Sequence, residues 1–251
     1  GTVIHCARIN GNGLSGAGSG CGGVFIGGAF GPVVGTVVGT TSACDNVSSM
    51  GGAAGITIYG PGTVLGLRSV SRNRGPQAGG MYILGAGLVS NGVTEVVGNS
   101  GGAYGGIYIG NTGEVYGCGT VVSNTGGACG GICIVGPGRV ETTGGILAYN
   151  GPGGSAGGIS ISGTGTVVGY EAVVGNVGGG CGGIQIGGGG SVSASAGILV
   201  TNTASGSGGG INIAQGGQVL GYERIVGNTC GGGGGGIYIA GAGTVSNGTA
   251  G

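Results

Sequence analysis

The sequence predicts an all-β fold, a single right-handed parallel β-solenoid that spans residues 1–251 as one domain. Three observations predict it. Glycine supplies 79 of the 251 residues, short runs of valine and isoleucine stand between the glycine clusters, and both features recur about every 26 residues. A unit of that length cannot bury enough apolar surface to fold alone, so the units must stack on one another.

Two other glycine-rich classes are excluded by the same composition. Collagen requires glycine at every third position, and the segment Ile56-Thr57-Ile58-Tyr59 breaks that triplet. Disordered chains are poor in β-branched residues and usually carry many charges, whereas only 5% of these residues are charged and Val and Ile recur throughout. Strands separated by glycine turns remain.

Three series of residues keep the same period. The first is the pattern apolar-x-Ile, whose apolar residue stands at Val24, Ile56, Met81, Ile107, Ile132, Ile159, Ile184, Ile211 and Ile237. The second is an asparagine, at Asn10, Asn46, Asn73, Asn99, Asn124, Asn150, Asn176, Asn202 and Asn228. The third is the valine of Gly-x-Val, at Val64, Val115, Val140, Val167, Val192, Val219 and Val245, with Val3 and Val37 before them. Together they predict about nine coils and three parallel sheets around a narrow core.

Side-chain directions follow from the alternation within each strand. The middle residues of the first series should point outward, and they are Phe25, Thr57, Tyr82, Tyr108, Cys133, Ser160, Gln185, Asn212 and Tyr238. The recurrent Asn is expected to adopt the left-handed conformation in a turn. In register these residues form an Asn ladder at Asn73, Asn99, Asn124, Asn150, Asn176, Asn202 and Asn228. The glycine pair before each Ile is expected to supply positive φ and close approach between coils.

The hand and a longer repeat are also predicted. Left-handed hexapeptide β-helices need about 18 residues per coil, and connections between parallel strands favour the right-handed form. Closely similar segments end at Asn124, Asn176 and Asn228. The duplicated unit is therefore a pair of coils.

The glycine pair with Ile, together with an apolar-x-x-Asn element in each coil, resembles the repeats of polymorphic outer-membrane proteins. Those proteins are right-handed β-helices of the pectin-lyase-like class. The resemblance implies a secreted or cell-surface location and an adhesive or structural role.

No catalytic, cofactor-binding or metal-binding residues are predicted, so no enzyme and no cofactor are expected. The acids are Asp45, Glu95, Glu114, Glu141, Glu171 and Glu223. Glu171 and Glu223 lie two coils apart, at a separation that would suit an inverting glycosidase, but we interpret them as copies of one surface position. His5 stands alone beside Cys6. The chain is neutral and contains no lysine, which argues against nucleic-acid binding, and it has no apolar run that could span a membrane.

The eight cysteines are Cys6, Cys21, Cys44, Cys118, Cys129, Cys133, Cys181 and Cys230. Free thiols, intrachain bridges and bridges between subunits all stay open. Cys129 and Cys181 should lie two coils apart, too far for a disulfide, whereas Cys6 and Cys44 lie in neighbouring coils. Cys133 is expected to point outward.

The function predicted from this pattern is that of a structural subunit in an extracellular filament or sheath. The chain begins and ends at the same phase of the coil, so head-to-tail stacking would continue all three sheets. The expected assembly interface consists of Thr2, Val3, Asn10, Val24, Asn228, Ile237, Thr244 and Val245. A fragment of a surface adhesin or autotransporter passenger, with cell-surface glycans or receptors as partners, is one alternative. An ice-binding protein is another, based on an outward row that begins with Thr36 and Thr63.

Overall fold

The computed structural model describes residues 2–4, 8–15, 22–27, 35–39, 42–49 and 52–247. These residues form strands, turns and bends and contain no helix. Every pair of named strands is parallel, and each strand is bonded to its counterpart one coil away, as in Ile107↔Ile132. The chain is therefore a parallel β-solenoid, as the sequence predicts. The right-handed sense stays a prediction.

One sheet follows the first series of the sequence, and we call it the isoleucine sheet. Its nine strands, with eight turns of the solenoid between them, are Val24–Ile26, Ile56–Ile58, Met81–Ile83, Ile107–Ile109, Ile132–Ile134, Ile159–Ile161, Ile184–Ile186, Ile211–Ile213 and Ile237–Ile239. From Val24 to Ile213 the first and third residues of every strand are buried in the core. The apolar-x-Ile pattern thus marks these strands correctly.

The other two series lie in one larger sheet of 15 strands, which we call the valine sheet. Its inner limb contains Thr2–Ile4, Thr36–Val38, Thr63–Leu65, Leu88–Ser90, Glu114–Tyr116 and Thr244–Ser246. Its outer limb, just before the Asn position, contains Arg8–Asn10, Ser42–Cys44, Ser69–Ser71, Glu95–Val97 and Thr120–Val122. In four later coils both limbs join into long strands, namely Arg139–Ala148, Thr166–Val174, Ser191–Val200 and Gln218–Val226. Register shifts between the limbs bend each long strand around the corner.

Two-residue strands follow the Asn position in the described coils, except in the coil that contains Asn150. Five form one short sheet, which are Gly13–Leu14, Val47–Ser48, Arg74–Gly75, Ser100–Gly101 and Thr125–Gly126. Three form another, which are Val177–Gly178, Thr203–Ala204 and Thr229–Cys230. Between the two sheets the chain passes through Gly151 and Pro152, and Pro152 has no amide hydrogen to donate.

The expectation that the middle residues of the isoleucine sheet point to solvent is wrong for most of them. Those buried are Thr57, Tyr82, Tyr108, Cys133 and Ser160, whereas Phe25 and Tyr238 are exposed and Gln185 and Asn212 are half-buried. The turn before each strand folds back over the sheet, so Ala53, Ala78 and Cys129 cover these side chains and create a second, smaller apolar cluster. The alternation of side chains correctly separates the two faces of the isoleucine sheet, but one face packs on the core and the other is covered by these turns.

Glycine pairs before the isoleucine strands allow the coils to approach closely. A Cβ placed on Gly106 would lie 2.6 Å from the carbonyl oxygen of Gly131, and one on Gly210 would lie 2.6 Å from that of Gly236. The expected positive φ is wrong, because none of these paired glycines is among the positive-φ residues. Their role is to leave room for the next coil's backbone.

The two-coil repeat arises from side-chain packing at the bend of the valine sheet, between its inner and outer limbs. Tyr170 and Tyr222 are buried there, and each phenol donates a hydrogen bond across two coils. Tyr170 reaches the carbonyl oxygen of Cys118 at 2.7 Å, and Tyr222 reaches that of Tyr170 at 2.8 Å. The coil in between contributes a glycine, where a Cβ on Gly145 or Gly197 would lie 2.8 or 2.5 Å from a ring carbon of the tyrosine. Tyrosine and glycine must therefore alternate.

Candidate assembly interface

A continuous ladder of asparagine side chains runs along the corner after the outer limb. Asn124 is representative, because its Nδ2 donates to the carbonyl oxygen of Val96 at 2.8 Å and to Oδ1 of Asn150 at 3.0 Å. Its Oδ1 accepts from the backbone N–H and Nδ2 of Asn99, at 3.0 and 2.9 Å. The same pattern joins Asn46, Asn73, Asn99, Asn124, Asn150, Asn176, Asn202 and Asn228. Each buried amide inside the stack is satisfied.

The first member of the ladder is Asn12, so placing Asn10 in this series is wrong. Asn10 pairs with Cys44, whereas Nδ2 of Asn12 donates to Oδ1 of Asn46 at 3.0 Å. The signal is the Val, Leu or Ile that stands three positions before most ladder asparagines, because Ile9 precedes Asn12 at this distance whereas only Ala7 precedes Asn10.

The left-handed residue is also displaced by one from its expected position. It is the residue before each ladder asparagine, not the asparagine itself. Glycine occupies the position at Gly11, Gly98, Gly175 and Gly227, and other residues with φ between 53° and 57° occupy it at Asp45, Arg72, Ser123, Tyr149 and Thr201. This turn directs the asparagine into the stack, where its amide makes the ladder bonds.

The ladder has a direction, which distinguishes its two ends. Each amide donates to the oxygen of the next higher coil, from Asn12 to Asn46 and finally from Asn202 to Asn228. Repeating the unit would require an oxygen acceptor beyond Asn228 and an amide donor before Asn12. The two ends are thus complementary in hydrogen bonding.

The residues expected at the assembly interface lie in the first and last described coils. Thr2 and Val3 pair with Thr36 and Val37, and Val24 belongs to the first strand of the isoleucine sheet. Thr244 and Val245 pair with Gln218 and Val219 at the other end. Ile237 and Ile239 are 40% and 41% exposed there, whereas Ile211 and Ile213 one coil below are fully buried.

The two acidic residues at glycosidase-like spacing, Glu171 and Glu223, differ in their surroundings. Glu171 accepts hydrogen bonds from the backbone N–H groups of Ser195 and Ala196, at 2.9 to 3.2 Å, and so fastens the bend of the next coil. Glu223 is exposed. Within the described ranges no three His, Cys, Asp or Glu residues cluster in a way that could hold a metal ion. His5 and Cys6 lie outside the described residues.

The described cysteines are all free thiols, and only Cys230 is partly exposed. Cys133 is buried, so its predicted outward position is wrong, because the turn around Cys129 covers it. Cys129 and Cys181 are two coils apart with Ala156 between them, as predicted. Burial raises the pKa of Cys181 to about 12. Cys44 is free, while Cys21, like Cys6, lies outside the described residues.

An aromatic stack lies against the isoleucine sheet. The rings of Tyr82 and Tyr108 are stacked with their centroids 4.8 Å apart, and both residues are buried rather than exposed. Sequence reasoning missed Tyr104, whose ring lies 4.0 Å from that of Tyr108. The missed signal is its position four residues before Tyr108, which matches the spacing of Cys129 and Cys133. Burial raises the pKa of Tyr82 to about 12.

The threonine row considered for ice binding is in register along the inner limb, from Thr36 to Thr63 and then Leu88. Charged residues follow, and Arg139 forms an ion pair of 2.8 Å with Glu141 on this surface. Among the described residues, no helix offers the length and hydropathy that crossing a membrane would require.

These features define a parallel β-solenoid with a directional polar ladder. The chain matches no family model, no curated protein and no solved structure. Its resemblance to polymorphic outer-membrane proteins and pectin-lyase-like proteins therefore stays a prediction beyond the fold itself.

Proposed function

We propose that this chain is a structural subunit of an extracellular filament or sheath, assembled head-to-tail by β-stacking between solenoid ends. The observation that carries the proposal is the difference between the last isoleucine strand and the strand below it. Ile237, Tyr238 and Ile239 are 40%, 37% and 41% exposed, whereas Ile211 and Ile213 are fully buried. A coil stacked on this edge would bury the apolar side chains that lie open.

The direction of the Asn ladder supports head-to-tail over tail-to-tail contact. Asn228 at the upper edge presents donors, and Asn12 at the lower edge presents an oxygen acceptor, if the bonding of the inner coils continues. Two upper edges would bring donor against donor. A contact between unlike ends does not close on itself and so produces a filament.

The correction at the first coil also changes the proposed interface. Asn12, not Asn10, would receive the amide of Asn228 from a second copy. Val24 would lie against Ile237, and the strand of Thr2 and Val3 would lie against that of Thr244 and Val245. The partner in this assembly is a second copy of the chain, and the extracellular location is part of the proposal.

The test is filament formation by the purified chain, followed by light scattering and electron microscopy over increasing concentration. Ile239→Lys places a charge on the exposed edge and is expected to abolish filaments. Val177→Lys is the matched control, because Val177 is 46% exposed, similar to Ile239 at 41%, but lies on a short side strand. A wild-type chain that stays short at high concentration, or equal effects of the two lysines, would overturn the proposal.

A further inference from the structure

The outer limb of the valine sheet carries an apolar surface on its outward side, which we call the outer apolar face. Its first row runs through neighbouring strands as Glu95, Thr120, Ile146, Ala172, Ile198 and Arg224. Its second row, two residues later in each strand, is valine or alanine at all six positions from Val97 to Val226. Ile146 is 47% exposed and Val226 is 49% exposed, whereas Ala148 is buried and the remaining apolar members are half-buried.

These rows point away from the core because the residue between them points inward. Val121, Leu147 and Val173 occupy that middle position and are fully buried. The face is therefore a regular sheet surface, about 24 Å long from the first strand to the sixth. Solvated sheet faces normally carry polar residues in such rows, so an apolar one marks a contact surface.

The charges on this face are placed only at its two ends. Glu95 begins the first row and Arg224 ends it, and both are exposed. Within the described part of the chain neither residue forms an ion pair. Arg72, which interacts electrostatically with Glu95, donates two guanidinium hydrogen bonds to Asp45, at 2.7 and 2.8 Å.

We propose that the outer apolar face binds the same face of a second copy, with the two solenoid axes antiparallel. A twofold axis parallel to the strands would pass between the strands of Ile146 and Ala172. That rotation lays the first row of one copy on the first row of the other in reverse order. Glu95 then faces Arg224 twice, Thr120 faces Ile198, and Ile146 faces Ala172.

Self-complementarity selects this arrangement over the parallel one. With parallel axes, a twofold rotation would lay the first row on the second, and Glu95 would face an apolar residue of the Val97 row. Only the antiparallel pair joins both charges with opposite ones and keeps the remaining contacts apolar. The face is smaller than the roughly 800 Å² per partner of a standard interface, so the pair should be weak.

The pairing is tested by charge reversal, measured by sedimentation velocity. All chains carry Ile239→Lys, so that head-to-tail stacking cannot produce the association. Glu95→Arg alone and Arg224→Glu alone each place like charges together twice, and each should raise the dissociation constant of the dimer at least about tenfold. An equimolar mixture of the two variants should form a one-to-one dimer as tight as the parent chain, and the double variant should pair with itself.

Gln218→Glu is the control, because Gln218 is exposed on the same long strand as Arg224 but lies on the inner limb. It should leave the dissociation constant unchanged. The proposal is overturned if the parent chain stays monomeric, if the single variants pair like the parent, or if the mixture fails to restore pairing. A monomeric parent would leave the face to a different partner.

Discussion

In the coils from Leu67 to Thr120, the bend before the outer limb is filled by one apolar side chain per coil, whereas in the later coils one tyrosine fills the bend of two coils. Leu67, Val93 and Cys118 occupy it singly, and all three are fully buried. In the later coils Tyr170 and Tyr222 fill the bend and cover the glycines of the coils between. Strands pair in parallel with their counterparts one coil away in both halves, but in the later coils the two limbs also join into single long strands.

This difference shows that the coil and the coil pair have separate physical causes. The Asn ladder and the glycine directly before each isoleucine strand repeat once per coil in both halves, so they set the stacking. The tyrosine with its opposing glycine repeats every second coil, and neither can change without the other. Duplication of coil pairs is the natural way to extend the second half.

The largest expected effect tests whether the ladder is equally important in both halves. Asn99→Ala in the first half and Asn176→Ala in the second each remove four side-chain hydrogen bonds, two donated and two accepted. Buried donors and acceptors are left unpaired, so each change should cost about 3–5 kcal/mol in the free energy of unfolding. Urea denaturation measures the loss.

Thr125→Ala and Val177→Ala are the controls, since each is an exposed neighbour of a ladder position. Both should change the stability by less than about 0.5 kcal/mol. The ladder would not be equally important in the two halves if the losses in unfolding free energy for Asn99→Ala and Asn176→Ala differed by more than the contribution of one hydrogen bond.

The second prediction converts the later packing into the earlier one. Gly197→Val places side-chain atoms against the ring of Tyr222, since even a Cβ there lies 2.5 Å from a ring carbon. We expect a loss of about 2–3 kcal/mol from overpacking. Adding Tyr222→Leu removes the ring, and the double variant should regain at least about 1 kcal/mol through coupling.

An additive result in that double-mutant cycle would break the comparison, because it would mean that the glycine is not there to accommodate the tyrosine. The value is measured from urea unfolding of the two single variants and the double variant. Val93→Ala is the reference for the first half, where the side chain fills its own coil and should simply leave a cavity.

The sequence predicts the coil, its period and the strands because those depend on repeating residues such as Ile107, Ile132 and Ile159. It predicts the pair of coils from similar segments, but not the cause, since the phenol of Tyr170 bonds a carbonyl 52 residues away. It misplaces the exposure of Tyr82 and Cys133 because the cover comes from turns whose path depends on tertiary packing. Asn12 could have been found from Ile9, whereas the outer apolar face requires knowing which rows the folded turns leave open.

The third prediction concerns the tyrosine hydrogen bond and its dependence on pH. Tyr170→Phe removes the bond to the carbonyl oxygen of Cys118 and should cost about 1–2 kcal/mol. Burial raises the pKa of Tyr170 and Tyr222 above the ordinary value of 10.0. Just above that pH both phenols therefore stay protonated in the folded chain, whereas they ionise in the unfolded chain. Their contribution is therefore complete below pH 10.0 and lost as the pH rises above it.

Denaturation at neutral and alkaline pH checks this sign. The wild type should lose more stability above pH 10.0 than the double variant Tyr170→Phe, Tyr222→Phe does. Tyr149→Phe is the control for the hydrogen bond, because Tyr149 is 65% exposed and its loss should change the stability at neutral pH by less than about 0.5 kcal/mol. If the free energy of unfolding fell equally with pH in the wild type and the double variant, the buried phenols would not cause the alkaline loss of stability.

The smallest effect concerns the turn that both halves share. Thr201 adopts φ 54° directly before a ladder asparagine, a conformation that costs a β-branched residue about 1–2 kcal/mol. Its hydroxyl bonds only the carbonyl oxygen of Val200 on an exposed surface. Thr201→Gly should therefore stabilise the chain by about 0.5–1 kcal/mol after the backbone entropy of glycine is counted.

Ser123→Gly in the first half should change stability in the same direction, because Ser123 has φ 56° at the equivalent position. Thr203→Gly, two residues after Thr201 and within a strand, should instead destabilise the chain, since a strand residue gains nothing from access to positive φ. Urea denaturation of the three variants decides the matter. If Thr201→Gly and Thr203→Gly destabilised the chain equally, the left-handed conformation at Thr201 would not be strained.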